Sequence, residues 1–415
     1  MSKRKILILN AGMKQIPVVR RARERGLWSV VADSRDGQLC FPLADAVWSI
    51  APFELDALSE AAAREGIAGV VYTTSEYAMD AAWRLTRELD LPTGLTEKAF
   101  AATRSKLAMR ALFAAAGIGD IPFACVDSVG AVEAFAAQAG YPVILKPTNA
   151  GNQVGMFLLD SPEDVVANRV PLEEAFGRSE YLAEKLYQGR ELNAVGLFLD
   201  GEMADFVVSD RLHYGPAHNF VVHEHRYPSQ ETAAVLEQAR GKLEAIGKAL
   251  ELRHSIVFVQ FIVADEVVRT IELGVRVPGG MMWHMFRWAC GVDLMATWFD
   301  ISVDKAFSAG DVARLDAHGG VCIRFLSGPP GPLPQGRLHD VEGLAAVRAM
   351  PGVRFADFYN KFNQVTLPDA IPPLRDGSDR FFCCITTGDT YDDALALNRK
   401  AESMLRFVVS RQKGE

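Results

Sequence analysis

Gln260, Glu272 and Arg276 lie in two apolar runs, Ile256-Val257-Phe258-Val259-Gln260-Phe261-Ile262-Val263 and Val267-Val268-Arg269-Thr270-Ile271-Glu272-Leu273-Gly274-Val275-Arg276, joined by the turn Ala264-Asp265-Glu266. If Val263 faces Val267, then Gln260 faces Thr270, and the two-residue period of a strand puts Gln260, Glu272 and Gly274 on one face. Diagonal neighbours of this kind are about 7–8 Å apart, a span that one Mg2+ and phosphate oxygens bridge. A carboxylate in an apolar strand is costly unless paired or metal-bound, so Glu272 reads as a metal ligand or as the ion-pair partner of Arg269 or Arg276. A second constellation begins at Lys146, which ends an apolar run and precedes Pro147-Thr148-Asn149-Ala150-Gly151-Asn152-Gln153-Val154-Gly155. Such a small-residue loop can lay backbone N–H groups over phosphates while the lysine supplies a point charge; on these residues alone a plain hairpin with an exposed lysine is the favoured reading, because glycine-containing hairpin loops are common.

The elements that must hold these residues follow from hydrophobic period and turn signals. Lys5-Ile6-Leu7-Ile8-Leu9, Val30-Val31-Ala32 and Gly69-Val70-Val71-Tyr72 alternate with helical stretches such as 18–25, a βαβ pattern that predicts a parallel sheet. Helices are expected at 105–116 and 129–139, ended by Gly117 and Gly140, and at 231–250. Strands are expected at 141–147, 156–159, 180–186, 192–199 and 202–209, giving an α+β middle region with antiparallel hairpins. The run Ser327-Gly328-Pro329-Pro330-Gly331-Pro332-Leu333-Pro334 cannot be helical and marks a loop before a last segment that ends in a helix over 391–410.

The 415 residues predict two to four domains, and 49% hydrophobic with 23% charged residues is a globular composition. A net charge of −8 argues against nucleic acid or an anionic membrane as partner. No apolar run reaches a membrane span, and Ile6-Leu7-Ile8-Leu9 is too short for a signal-peptide core. Six cysteines without a C-x-x-C pair suggest neither a disulfide framework nor a zinc site, and fit a reducing cytoplasm. The phosphate loop G-x-x-x-x-G-K-[ST], the G-x-S-x-G elbow and H-E-x-x-H are all missing from the sequence.

The order of Ser105-Lys106, the Lys146 strand and its loop, Leu182-Ala183-Glu184-Lys185-Leu186 through Gly189-Arg190-Glu191, Val259-Gln260-Phe261 and Ile271 to Arg276 resembles the ATP-grasp superfamily over most of the chain. The tail motifs 327–338 and Cys384-Ile385-Thr386-Thr387-Gly388-Asp389-Thr390-Tyr391 resemble its L-amino-acid ligase branch more weakly. The resemblance implies an α/β and α+β multidomain fold. Residues 1–103 would form a Rossmann-like parallel α/β domain, 104–300 an ATP-grasp core of two α+β subdomains, and 301–415 a C-terminal α+β ligase-like segment.

It further implies ATP and Mg2+ or Mn2+ as cofactors, with small carboxylate and amine substrates, amino acids among them, and allows a homodimer. Lys106, Lys146, Gly151 and Gly155 would meet nucleotide phosphates; Glu184, Lys185 and Leu186 the adenine; Glu191 the ribose hydroxyls; Gln260 and Glu272 the metal. Arg276 and His225 would face an acyl-phosphate. Amide or peptide bond formation with release of ADP and phosphate is the implied activity. A nucleotide binder without ligation and a carboxylase or nucleotide-biosynthesis type of ligase are the alternatives.

Two departures bear on this. The family usually reads Glu-x-Asn-x-Arg where this chain reads Glu272-Leu273-Gly274-Val275-Arg276, which removes one oxygen ligand, and Gln260 stands where many relatives carry an acid. Three further groups have two readings each. His223-Glu224-His225-Arg226-Tyr227-Pro228-Ser229 faces substrate or solvent; Met281-Met282-Trp283-His284-Met285-Phe286-Arg287-Trp288 lines a pocket or the core; Glu76 contacts substrate or caps a helix electrostatically. The turn Asn10-Ala11-Gly12-Met13-Lys14-Gln15, without the three glycines of a dinucleotide site, holds a small ligand or simply starts a helix.

Overall fold

A computed structural model describes residues 3–148, 155–218, 220–363 and 370–410; the predicted phosphate contact Gly151 lies outside the described residues. The first sheet is parallel, with β1 (Lys5–Leu9), β2 (Trp28–Ala32), β3 (Ala46–Trp48) and β4 (Ile67–Val71) in the order β3-β2-β1-β4. The chain steps outward from β1 to β3 and then returns to the other side of β1, so a topological switch point lies between β1 and β4. Helices Ile16–Glu24 and Glu76–Glu88 begin just past the carboxyl ends of those two strands.

The second sheet is small. Strands β5 (Phe123–Val126), β6 (Val143–Pro147), β7 (Phe157–Leu159) and β8 (Tyr181–Lys185) stand in the order β5-β8-β6-β7. Ser105 and Ser128 cap the helices Lys106–Ala115 and Val129–Ala139, each accepting from the backbone N–H three residues on, which fixes the predicted starts. The remaining strands are β9 (Arg190–Leu199), β10 (Glu202–His213), β11 (Val222–Tyr227), β12 (Ser255–Ala264), β13 (Val267–Gly274), β14 (Gly320–Leu326), β15 (Gly336–Glu342), β16 (Val353–Phe358), β17 (Ala370–Ile371), β18 (Phe382–Gly388) and β19 (Arg406–Ser410). Eight of these form one sheet, β13-β12-β9-β10-β11-β14-β18-β16, while β17-β15-β19 form a separate ribbon. The last three strands of the large sheet belong to the C-terminal segment and are hydrogen-bonded onto β11. No helix among the described residues is long and apolar enough to cross a membrane.

Two sequence expectations are corrected. The C-terminal helix stops at Met404, because Leu405-Arg406-Phe407-Val408-Val409 is β-branched and aromatic and pairs with β15 as β19. In the β12–β13 hairpin the turn is tighter than expected, with Ala264 opposite Val267 and Val263 opposite Val268, and a bulge between Gln260 and Phe261 adds a second one-residue shift, so Gln260 stands directly opposite Glu272 and not opposite Thr270. The two side chains are therefore cross-strand neighbours and not diagonal ones.

Candidate active site

Glu184 stands where the small sheet is tied to the large one. On β8 it pairs with Ile144 of β6, which places it diagonally from Lys146 on the same face. One carboxylate oxygen accepts from Lys146 Nζ at 2.6 Å and the other from Arg110 Nε at 2.5 Å. The Arg110 guanidinium, 3% exposed, also donates to the carbonyls of Thr270 at 2.6 Å and Ile271 at 3.0 Å on β13. Burial alone would raise the Glu184 carboxyl, but Lys146 and Arg110 override it and hold it at about 2. The side chain of Glu184 is thus committed to two cations, and its backbone lies in the ladder between β5 and β6. Lys185 Nζ donates to the carbonyls of Gly140 and Tyr141, and the Leu186 N–H donates to Pro142 at 3.0 Å.

On the large sheet, Glu272 is exposed and Gln260 is nearly buried. The Gln260 amide donates to Glu191 at 2.8 Å, which leaves its carbonyl oxygen as an acceptor. Glu191 also accepts from Arg211, and His213 lies 3.4 Å away, so the expected ribose residue sits in an ion network spanning β9, β10 and β12. Burial would raise the Glu191 carboxyl; His213 and Arg211 outweigh it and lower it, while the Glu191 bond raises His213. Lys106, at the start of its helix, has Glu272, Lys146, Glu76 and Glu184 around it; burial lowers its pKa and Glu272 opposes the shift.

Among the described residues no group of three or more His, Cys, Asp or Glu side chains is placed to hold a metal. One carboxylate and one amide carbonyl, side by side, fit a single hard cation completed by phosphate oxygens and water. At Gly274 a Cβ would make only ordinary contact with Arg276, 3.4 Å from its Nε, so the backbone there has room for a side chain that this sequence does not supply. Arg276 donates to Glu76 at 3.1 Å and to the Val277 carbonyl at 3.3 Å.

The ambiguous groups separate. His225 is 3% exposed, with Nδ1 hydrogen-bonded to the Asn193 amide at 3.1 Å, so it does not belong to a solvent-facing run. Burial, then Arg211 and Arg380, push its pKa well down and keep the ring neutral. In the helix Met282–Cys290, Met282, Trp283, Met285 and Phe286 are all buried and serve the core. Glu76 begins a helix capped by Ser75, as its helix-terminus reading expects, and also accepts from Arg276.

Sequence reasoning missed Arg110, Arg211 and His213. The signal for Arg110 was a single charge beside Met109 and Phe113 on the buried face of its helix. Arg211 and His213 share a face of β10 by the same two-residue period that was applied to the β12–β13 hairpin alone.

Residues 332–410 match the family model for L-amino acid ligase C-terminal domain 2. A D-alanine–D-alanine ligase of Geobacter sulfurreducens is 33% identical over 112 residues, which is 27% of this chain and 34% of that protein. The match therefore spans about a third of that curated relative. Two solved structures resemble nearly the whole chain: an L-amino acid ligase from Bacillus licheniformis, 17% identical, covering 99% of this chain and 100% of that one, TM-score 0.77; and the biotin carboxylase domain of a Hydrogenobacter thermophilus 2-oxoglutarate carboxylase in complex with MgADP, ADP and bicarbonate, 18% identical, covering 99% and 91%, TM-score 0.77.

Proposed function

The chain has the ATP-grasp fold, and from that premise we propose that it is an ATP-dependent carboxylate–amine ligase that forms an amide or peptide bond and releases ADP and phosphate. The observation that carries this reading is the Lys146–Glu184–Arg110 cluster together with the Gln260–Glu272 pair. Lysines near a carboxylate and an amide carbonyl are the groups that a triphosphate with its cation would need, and Lys106 lies near Lys146, Glu184 and Glu272 alike, which supports this reading. The L-amino acid ligase match of residues 332–410 supports the choice of ligase within the fold.

In this mechanism Lys146 and Lys106 hold phosphates, and Glu184 positions Lys146 while remaining ionised. Gln260 and Glu272 would hold Mg2+, which when bound neutralises phosphate charge. Adenine would take the Leu186 N–H once its bond to Pro142 opens, and Glu191 would accept from the ribose. Gly155, at φ 75°, ends the small-residue loop that would cover the phosphates. Arg276 faces the substrate carboxylate that becomes the acyl-phosphate and stabilises the charge that forms there. A substrate amine then attacks, and exclusion of water prevents hydrolysis of the activated acyl group. The buried, neutral His225 supports the wall of this site through Asn193.

The test is ADP and phosphate release with Mg2+, screened over pooled amino acids and small carboxylates, with AMP measured in parallel. ADP formation that requires both a carboxylate and an amine is the expected result. Lys146→Ala should lower kcat/KM by at least about 100-fold, since it removes a charge from the phosphoryl transition state; an undiminished rate would remove Lys146 from the site. A second reading, a nucleotide binder without ligation, is favoured by the single-carboxylate metal site beside Gly274. It predicts ADP and ATP binding with no substrate-dependent phosphate release.

A further inference from the structure

Three cations converge outside the nucleotide site, at the switch point of the parallel sheet. Lys14 follows β1, Arg276 follows β13, and Arg380 precedes β18, so they come from all three regions of the chain. Lys14 Nζ lies 5.5 Å from the centroid of the Tyr359 ring, and the Arg380 guanidinium carbon lies 5.2 Å from the same centroid. Tyr359 is buried, and no carboxylate pairs with Lys14 or Arg380 among the described residues. Arg276 completes the group: it is close enough to Lys14 to perturb it, its Glu76 partner is half exposed, and its Nε is buried without a hydrogen-bond partner. Three cations against one carboxylate, gathered beside the buried Tyr359 ring with Arg276 only 13% exposed, is an arrangement that an incoming anion relieves.

Position says what the anion is. Glu76 faces Lys106 of the phosphate-binding side as well as Arg276. The crevice therefore adjoins the place where a carboxyl group would meet ATP, and in open parallel sheets ligands bind at such a switch point. We propose that the crevice binds the acyl-donor substrate and that this substrate carries a second anionic group, a carboxylate or a phosphate, held by Lys14 and Arg380, while Arg276 faces the carboxyl group to be activated. This rests on the ligase reading for the role of Arg276, and deepens it by naming the substrate class. Burial, with Arg380 and Arg276 nearby, lowers the Lys14 pKa to about 8, so the lysine remains largely charged at neutral pH.

The experiment is calorimetric titration of the full chain, without nucleotide, with acid and neutral pairs: succinate against butyrate, L-aspartate against L-alanine, L-glutamate against L-glutamine, glycerol 3-phosphate against glycerol. At least one acid should bind about tenfold or more tightly than its neutral partner, and Lys14→Met and Arg380→Met should each weaken that acid about tenfold. Lys14→Arg should retain most of the affinity, and ADP affinity should stay within about twofold in all three variants, which reports that they are folded. Acids and neutral partners that bind alike, or not at all, overturn the proposal, as does an acid whose binding ignores both methionine substitutions. Acid binding without stimulated ADP release would sink the ligase reading and leave the anion site standing; ADP release driven equally by monocarboxylates would do the reverse.

Discussion

A buried charge is tolerable only when its neighbours are arranged around it, and Glu184 is the plainest case. Replacing it with glutamine leaves Lys146 and Arg110 facing each other without a counter-ion, and should cost about 3–5 kcal/mol, read as a lower midpoint in urea. The sign of the pH effect follows from its lowered carboxyl: the contribution is complete above the ordinary value of 4.5 and is lost as pH falls toward about 2. Wild type should therefore lose stability across that window more steeply than Glu184→Gln. Lys146 was read from its place at the end of an apolar strand before a small-residue loop, whereas Glu184 entered only through the family resemblance, as an adenine contact and not as the partner of Lys146. Arg110 was not read, because its value lies in reaching the Thr270 and Ile271 carbonyls about 160 residues away, which no local pattern encodes. Tyr359 and Arg380 escaped for the same reason, each an ordinary residue until distant segments meet, while Lys14 was read only as part of the turn 10–15 that holds a small ligand or starts a helix.

At the scale of elements, helices were read well where a serine or threonine cap coincides with the onset of an apolar stripe, as at Ser105, Ser128 and Thr232. Strands that depend on distant partners, such as β3, β5 and β16, were invisible, since three to six residues of modest hydrophobicity carry no signal without the neighbouring strand. The bulge that helps bring Gln260 opposite Glu272 was equally hidden, because sequence alternation assumes an uninterrupted ladder. Gly189, which carries the chain from the small sheet to the large one, yields an element-level prediction. A Cβ there would fall 2.0 Å from the Val263 carbonyl oxygen, so Gly189→Ala must push β9 away from β12 at the end that bears Glu191. The expected outcome is a loss of about 1–3 kcal/mol in stability together with weaker ADP binding, measured by thermal denaturation and calorimetry on the same protein.

Across the whole molecule, the N-terminal sheet shares one hydrophobic core with the large sheet and is further fastened to it by a few polar contacts. Asp300 accepts from Arg21 at 2.6 Å and from Arg25 at 2.6 Å, the Tyr72 hydroxyl donates to the Val275 carbonyl at 2.8 Å, and Trp298 Nε1 donates to the Tyr72 carbonyl at 2.7 Å. Asp300→Asn should weaken this fastening by about 1–2 kcal/mol, a figure reduced by the partial exposure of both arginines. Hydrogen exchange should then quicken in the helix Ile16–Glu24 while β12 keeps its protection. The large sheet sets a different condition. Since β14, β16 and β18 complete the ladder begun by β9 to β13, the segment beyond residue 319 is woven into the core and not appended to it. Recombination between chains of this fold must respect that seam: a grafted tail has to present a strand edge matching Glu224 to Tyr227 and a partner for Glu224 in place of Arg324 and Tyr391. Specificity carried by the tail is thus inherited together with the strand that receives it, and exchanging one without the other would leave an open sheet edge inside the protein.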